Sequence, residues 1–309
     1  MARKPRIQYP GALYHVISRG NYRKDLFTVG KTGTQFEKAL FEVCERCEWV
    51  LHAYVIMSNH YHLALETPKG NLVEGMRWLQ GTFGNRFNKF TGERGHVFQG
   101  RYKALLVEPG RSLLNLVNYI HLNPVRAKLL PLDDLKNYAL SSYPKYFKKI
   151  LNAPLKRKDF LSETGLPDSL TGIRQYAKKL ALQEEADPKK KEELHKKYIR
   201  GWAIASEAYK KQLHKDFEKM VVAKDWGGRE LQELNKLSYE KLVTSWLKKH
   251  RKTEDHIQKD LKSAVWKIEL ACELRKKTSA TNPWIANRLN MGDPSHVSRH
   301  VNTMSNIKD

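Results

Sequence analysis

One short run constrains the fold more than any other part of the sequence: His60-Tyr-His-Leu-Ala-Leu-Glu66. Its leucines alternate with a second set of residues that contains His60, His62 and Glu66, a pattern typical of a β-strand with one apolar face. Residues two apart on a strand project from the same face, so the two imidazoles would converge and could hold a divalent metal ion. Taken alone, the same spacing also fits histidines that merely line a polar sheet face.

Alternating strand and helix patterns surround this run and extend to about residue 150. Strands are predicted at 12–18, 49–57, 61–66 and 102–108, and helices at 34–47, 72–90 and 112–128. The order β-α-β-β-α-β followed by a helix predicts an α+β fold with a ferredoxin-like antiparallel sheet backed by helices. We expect the other sheet face to be bare and able to carry a site.

Beyond residue 150 the strand signal fades and the chain becomes helical and charged. The sequence therefore predicts three regions: an α+β domain at 1–150, a charged helical linker region at 151–225, and a helical domain at 226–309. The charge run within 178–197 is interpreted as a solvated linker or exposed helix ends.

The segment 282–301 predicts two short helices joined by a turn at Gly292. Apolar side chains in each helix would pack inward, at Ile285, Ala286 and Leu289 in the first and at Val297 and Val301 in the second, which begins at Ser295. This is the pattern of a helix-turn-helix, whose second helix reads the major groove. The residues then expected to face DNA are Ser295, His296, Ser298 and Arg299, with His300 beside them. A purely structural helical hairpin is the alternative.

The charge balance favours a polyanionic partner. The chain has 56 Lys and Arg against 33 Asp and Glu, a formal charge of +23, and polyphosphate backbones are the commonest partners of such proteins. A ribosome-associated or merely soluble basic protein is the alternative. No run of roughly 18 residues is apolar enough to span a bilayer, and no signal peptide is evident, so we expect a cytoplasmic, nucleoid-associated protein without a membrane partner. Cys44 and Cys47 are expected to be buried thiols on a helix face.

Tyr119 and Asn123 lie four residues apart in the third predicted helix. This spacing places a phenol and a carboxamide oxygen on one side of the helix. Two imidazoles and one oxygen would leave coordination positions open for a phosphate and water, as in a catalytic metal site. Pro124 disfavours helical geometry at Asn123, so Glu66 remains the substitute third ligand. Considered without its surroundings, Tyr119 fits better as a core aromatic.

Several segments, in this order, resemble the REP-associated tyrosine transposases, a branch of the single-tyrosine HUH transposases. They are Arg6-Ile-Gln-Tyr-Pro-Gly-Ala-Leu-Tyr-His-Val-Ile-Ser-Arg-Gly-Asn21, Leu51-His-Ala-Tyr-Val-Ile-Met-Ser-Asn-His-Tyr-His62, Gly95-His-Val-Phe-Gln-Gly-Arg-Tyr-Lys103 and Tyr119-Ile-His-Leu-Asn-Pro-Val-Arg-Ala127. The resemblance spans nearly half the chain. Its one visible departure is Ser58, where family members usually have proline, and this position lies outside the ligands.

The resemblance implies a function and a set of roles. His60 and His62 would be metal ligands for Mg²⁺ or Mn²⁺, Asn123 would occupy the position of the third ligand, and Tyr119 would be the nucleophile. The activity implied is cleavage and transfer of single-stranded DNA beside hairpin-forming palindromic repeats, through a 5′-phosphotyrosine. A monomer and a homodimer are both compatible with the sequence. The last 50 or so residues also resemble, more weakly, the helical C-terminal modules of replication initiators.

Residues around the strand ends are predicted to contact DNA. Basic side chains there would neutralise phosphates, amides could read a base edge, and aromatics could stack on unpaired bases. The predicted contacts are Arg19, Asn21, Arg23, Lys24, Arg94, Gln99, Arg101, Lys103 and Arg126, with Tyr22, Phe98 and Tyr102 as stacking candidates. Two other functions stay open: a non-catalytic DNA-binding protein, such as a domesticated transposase acting as a repressor, and a replication initiator or relaxase.

Overall fold

The structure is a computed structural model that describes residues 7–151, 154–185, 198, 201–220, 232–278 and 280–305. Contacts divide the chain into two compact units, Ile7–Lys210 and a second that begins at Lys211. The first unit thus extends beyond residue 150 into the region that the sequence assigns to a linker. Residues 186–197 of the predicted charged linker lie outside the described residues.

A β-sheet forms the centre of the first unit. Its first four strands are β1 (Ala12–Arg19), β2 (Val50–Ile56), β3 (His60–Thr67) and β4 (Lys103–Val107). They are ordered β2-β3-β1-β4 and every neighbouring pair is antiparallel, so the ferredoxin-like prediction is confirmed, with strand ends within one residue of those expected. A fifth strand, β5 (Ala203–Ile204), adds parallel to β4. The sequence does not predict β5, because two residues carry no periodicity.

One face of the sheet is covered by α1 (Thr32–Cys47) and α2 (Leu72–Thr91). The aromatic rings of Phe36 from α1 and Phe83 from α2 meet there, with centroids 5.1 Å apart, and Phe36 lies 4.6 Å from Tyr61 of β3. Cys44 and Cys47 are buried on α1, as expected. Gly75 in α2 is required by close packing, since a Cβ there would lie 2.1 Å from the ring of Trp49.

The opposite face is not bare, contrary to the expectation. Helix α3 (Arg111–Arg126) packs on β2 and β3, and it is joined there by α4 (Ser142–Lys145), α5 (Lys158–Ser162) and α6 (Leu170–Glu185). His121 of α3 connects these elements, since its ring nitrogens lie 3.0 Å from both the Tyr176 hydroxyl and the Ser142 hydroxyl. Helix α3 continues through Pro124 to Arg126, so Tyr119 and Asn123 share one helical face.

The described part of the second unit is helical. Helix α7 (Glu207–Met220) begins in the first unit, and α8 (Gln232–Lys249), α9 (Glu254–Lys259), α10 (Val265–Lys277), α11 (Asn282–Arg288) and α12 (Pro294–Ser305) follow. Their core contains all the apolar side chains that the sequence assigned to the interior of the last two helices: Ile285, Ala286, Leu289, Val297 and Val301. The described helices include none with the length and apolar character that crossing a membrane requires.

Candidate active site

The two histidines of β3 lie on the sheet face that α3 covers. His62 is buried. His60, two residues earlier at the start of the strand, is half-buried. Their ring centroids are 5.2 Å apart with the planes nearly perpendicular. The alternation in the sequence therefore correctly places both imidazoles side by side on one face.

A third histidine, His15 of β1, fixes the proton on His62. His15 is fully buried and its Nδ1 lies 3.0 Å from the carbonyl oxygen of Tyr198, which can only accept a hydrogen bond. Burial lowers the pKa of His15 to about 3, so the ring is neutral and its Nε2 is an acceptor. Because His15 Nε2 lies 2.9 Å from His62 Nδ1, Nδ1 of His62 must carry the proton, and the lone pair of the neutral ring is on Nε2.

His60 is held in the same tautomer by a different partner. Its Nδ1 lies 2.8 Å from the side-chain oxygen of Asn59. The amide nitrogen of Asn59 donates to the carbonyl of Arg23 at 3.1 Å, which turns the amide oxygen toward the imidazole. His60 Nδ1 therefore donates, and Nε2 again has the lone pair.

These two tautomers fit a divalent metal ion. Metal-bound histidines commonly donate the other ring N–H to a fixed acceptor, which orients the ring and sets its tautomer. His60 and His62 both meet this condition through Nδ1 and would bind through Nε2. Among the residues described, no group of three or more His, Cys, Asp and Glu side chains is arranged to hold a metal, so a third protein ligand here would have to be of another type, such as an amide.

The structure places the two candidates for that third ligand differently. Glu66 lies four residues along β3 from His62, about 13 Å at the usual strand rise, and its carboxylate is 3.7 Å from Nε2 of His52. Asn123 is buried on α3 and its Nδ2 donates to the carbonyl of Tyr119 at 2.8 Å. This bond uses the amide nitrogen, so a metal would have to bind Oδ1.

Tyr119 lies against the histidines. Its ring centroid is 5.6 Å from that of His62 and 6.0 Å from that of His15. The side chain is only 1% exposed, because the ring of Tyr198 packs on it at 4.6 Å. Burial raises the pKa of Tyr119 to about 12, although the charge of Arg126 and the side chain of Asn123 act in the opposite direction. The phenol is thus next to the imidazoles, and it is covered.

Most of the predicted DNA-contacting residues of the first unit come together at the end of β1. The segment 97–99 pairs with the residues around Arg19, as Gln99 N donates to Arg19 O at 2.8 Å and Asn21 N donates to Val97 O at 2.9 Å. Six of these side chains are exposed: Arg19, Arg23, Lys24, Arg94, Gln99 and Arg101. Lys24 already pairs with Glu93. Lys103 is opposite Ile17, which is also opposite His62, so Lys103 belongs to the sheet face of the imidazoles.

Three of the predicted contacts are placed differently from the expectation. Phe98 and Tyr102 are buried; Phe98 packs on Tyr61 and Phe83 and cannot stack on a base. Arg126 pairs with Glu184 at 2.9 Å and lies over the ring of Tyr119, so its charge already has an acidic partner. The exposed aromatic at this edge is Tyr22.

In the second unit, the two last helices are joined by a turn at Asn290 and Gly292, both with positive φ. Thr281 caps α11 by accepting from Trp284 N, and Asp293 Oδ1 accepts from Ser295 N at the start of α12. Ser295, His296 and Arg299 are exposed, while Ser298 and His300 are half-buried. Two helices joined by a turn are thus present where the sequence predicts them, and the helix-turn-helix motif and its reading of DNA stay predictions.

Sequence reasoning missed His15 and Tyr198. His15 carries a weak signal, because strand alternation over 12–18 places it on one face with Leu13 and Ile17, and Tyr14 and Val16 on the other. Its contact with His62 depends on the register of β1 against β3, which the pattern does not fix. Tyr198 carries no local signal, since it reaches the site from far along the chain.

Residues 8–123 match the family model described as "Transposase IS200 like". The structure of a REP-associated tyrosine transposase bound to a REP hairpin is similar, with 18% identity, a TM-score of 0.40, and coverage of 50% of this chain and 90% of that chain. A "putative transposase from Deinococcus radiodurans R1" gives 19% identity, a TM-score of 0.28, and coverage of 41% and 92%. Comparison with curated proteins gave no match. The matched range contains His15, both strand histidines and Tyr119, and it ends at Asn123. The similarity to IS200-like transposases therefore covers residues 8–123, a little over a third of the chain.

Proposed function

We propose that the chain is a transposase that cleaves and rejoins single-stranded DNA beside hairpin-forming palindromic repeats, with Tyr119 as the nucleophile. The observation that carries this proposal is the contact of the Tyr119 ring with His62, 5.6 Å between centroids, on a sheet face where two imidazoles are held in metal-binding tautomers. The solved relative bound to a REP hairpin supports DNA of this kind as the substrate.

The proposed reaction is an exchange of phosphodiester bonds. The Tyr119 oxygen attacks phosphorus and loses its proton, while the bond from phosphorus to the 3′ oxygen breaks and that oxygen gains a proton. A 5′-phosphotyrosine and a free 3′-hydroxyl result, and attack by another 3′-hydroxyl restores the phenol. No nucleotide cofactor is consumed, because the bond energy is retained in the phosphotyrosine.

The residues of the site have distinct roles in this scheme. His60 and His62 would hold Mg²⁺ or Mn²⁺ through Nε2, with Asn123 Oδ1 as the proposed third ligand. A bound divalent cation would stabilise the charge that develops on the scissile phosphate. His15 and Asn59 orient the two imidazoles. The ring of Tyr198 packs on the ring of Tyr119, and in this scheme it moves when the scissile phosphate approaches the nucleophile.

The exposed basic edge at 19–23 and 94–101 would bind the phosphates of the cleaved strand, and α12 would add affinity for duplex DNA through Ser295, His296, Ser298 and Arg299. A second candidate function, DNA binding without cleavage, is favoured by the 1% exposure of Tyr119. The two differ in whether the protein becomes covalently attached to DNA.

The test uses a hairpin oligonucleotide with single-stranded flanks, labelled at either end, incubated with Mg²⁺ or Mn²⁺. A 5′-phosphotyrosine predicts that the 3′-labelled fragment stays on the protein and the 5′-labelled fragment is released. Tyr119→Phe removes one oxygen and should abolish the adduct while DNA affinity is retained; Tyr143→Phe, another buried tyrosine of the first unit, should form the adduct normally. Binding by the wild type without any adduct would support the second candidate.

A further inference from the structure

Tyr22 is displayed to solvent in a way that needs an explanation. Its side chain is 93% exposed, the highest value among the large hydrophobic side chains in the described part of the chain. Aromatic side chains gain free energy when their surface is removed from water. A tyrosine held outward at the edge of a candidate active site is therefore a surface that a partner would cover.

The backbone holds Tyr22 in a fixed and unfavourable conformation. Tyr22 and Arg23 both have positive φ, 51° and 59°, which is costly for residues with a Cβ. Hydrogen bonds maintain the turn: Arg23 N donates to Gly20 O at 3.1 Å, and Lys24 N donates to Asn21 O at 2.9 Å. Gly20 is needed here, because a Cβ would lie 2.4 Å from the carbonyl oxygen of Lys24. Strained residues that persist in this way cluster at ligand-binding sites.

The same turn is attached directly to the imidazole pair. Gly20 N donates to Asn59 O at 2.7 Å, and the Asn59 side chain bonds both Arg23 O and His60 Nδ1. Asn59 thus connects the turn that carries Tyr22 to the strand end that carries His60. A molecule stacked on Tyr22 would lie beside the candidate active site.

The charges around Tyr22 identify the class of partner. Four exposed arginines lie in the segments 19–23 and 94–101, and in the described residues none of their side chains forms an ion pair: Arg19, Arg23, Arg94 and Arg101. Lys24, two residues after Tyr22, pairs with Glu93. Exposed cations beside an aromatic face are the combination that binds single-stranded nucleic acid, with phosphates on the cations and a base on the ring.

We propose that Tyr22 stacks on an unpaired base of the DNA strand that enters the candidate active site. This rests on the proposed function, and it adds a specific contact to the cleaved strand, a base stacked on the ring of Tyr22. Stacking tolerates any base, so Tyr22 would position the strand without reading its sequence.

The test measures binding without cleavage, in chelator, by fluorescence anisotropy. Two probes are compared with the full-length protein: a hairpin with single-stranded flanks and the same hairpin with blunt ends. Tyr22→Ala should weaken binding of the flanked probe by about 5- to 140-fold and leave the blunt probe unchanged. Tyr22→Phe and Tyr22→Trp should retain affinity, while Tyr22→Leu should not. Phe90→Ala, an exposed aromatic of α2, is the matched control and should bind like the wild type.

A second readout locates the base. With 2-aminopurine placed at successive flank positions, one position should be quenched by wild-type protein and not by Tyr22→Ala. The proposal is overturned if Tyr22→Ala binds the flanked probe as tightly as the wild type does. It is also overturned if Tyr22→Ala weakens binding of the blunt probe as much as binding of the flanked probe, or if Tyr22→Leu retains full affinity for the flanked probe. The binding assay involves no cleavage. If no Tyr119 adduct forms, the proposed enzymatic function fails, while the binding result for Tyr22 remains valid.

Discussion

Removing the ring of Tyr198 should activate Tyr119. Tyr198 packs on the phenol at 4.6 Å, and burial raises the pKa of Tyr119 from 10.0 to about 12. Two pKa units correspond to about 2.7 kcal/mol and about a 100-fold smaller phenolate fraction at a fixed pH. His15, His62 and Arg126 still cover the phenol in Tyr198→Ala, so we expect about half of this effect, roughly a tenfold faster attack.

The assay is single-turnover formation of the covalent adduct between pH 6 and 9. Below the pKa of the phenol, the rate should rise about tenfold per pH unit for both proteins, with the Tyr198→Ala curve displaced to lower pH by about one unit. Tyr198→Phe keeps the covering ring and should behave like the wild type. Both substitutions leave the backbone carbonyl of residue 198, which accepts the hydrogen bond from His15. An unchanged or slower rate at unchanged DNA affinity would refute the view that this ring restrains the nucleophile.

The tautomer of His62, the burial of His121 and the phosphate contacts of α12 can each be tested. His15→Phe removes the acceptor of His62 Nδ1–H and should weaken Mn²⁺ binding by about 10- to 100-fold, measured by titration of the free ion; equal affinity would show that the tautomer is set elsewhere. Burial lowers the pKa of His121 to about 3 from an ordinary 6.5. As the pH falls, this histidine is therefore protonated in the unfolded chain before it is protonated in the folded protein. The free energy of unfolding that is present above pH 6.5 is lost below it. Between pH 7.5 and 5 the loss should be about 2 kcal/mol. In His121→Gln, the free energy of unfolding measured by chemical denaturation should fall by about 2 kcal/mol less over this range than in the wild type. An equal fall in the two proteins would contradict this prediction. Arg299→Ala should lower duplex affinity and reduce the slope of log affinity against log salt by about one, whereas an unchanged slope would exclude a phosphate contact.

The sheet and the imidazole pair could be predicted because their signals are local. Strand alternation gives the face of His60 and His62, and the spacing of Tyr119 and Asn123 gives their common helix face. The doubt that Pro124 raised is resolved by tertiary packing, since α3 continues through it on the sheet.

The remaining features depend on contacts between distant parts of the chain. His15 meets His62 only in one register of β1 against β3, and a shift by one residue would reverse its face. Phe98 looked available for stacking because its neighbours are basic, whereas its ring belongs to the aromatic core on Phe83. Tyr198 covers the site from 79 residues beyond Tyr119 in sequence, and no periodicity reports such a contact.

The most direct test of the central claim is the chemical identity of the residue that becomes attached to DNA. Wild-type protein is incubated with the flanked hairpin and Mn²⁺, digested with protease and nuclease, and the modified peptide is sequenced by mass spectrometry. We expect a single phosphonucleotide on the peptide that contains Tyr119, and none after chelation. A phosphonucleotide on any other residue, or DNA binding with no modified peptide, would contradict it.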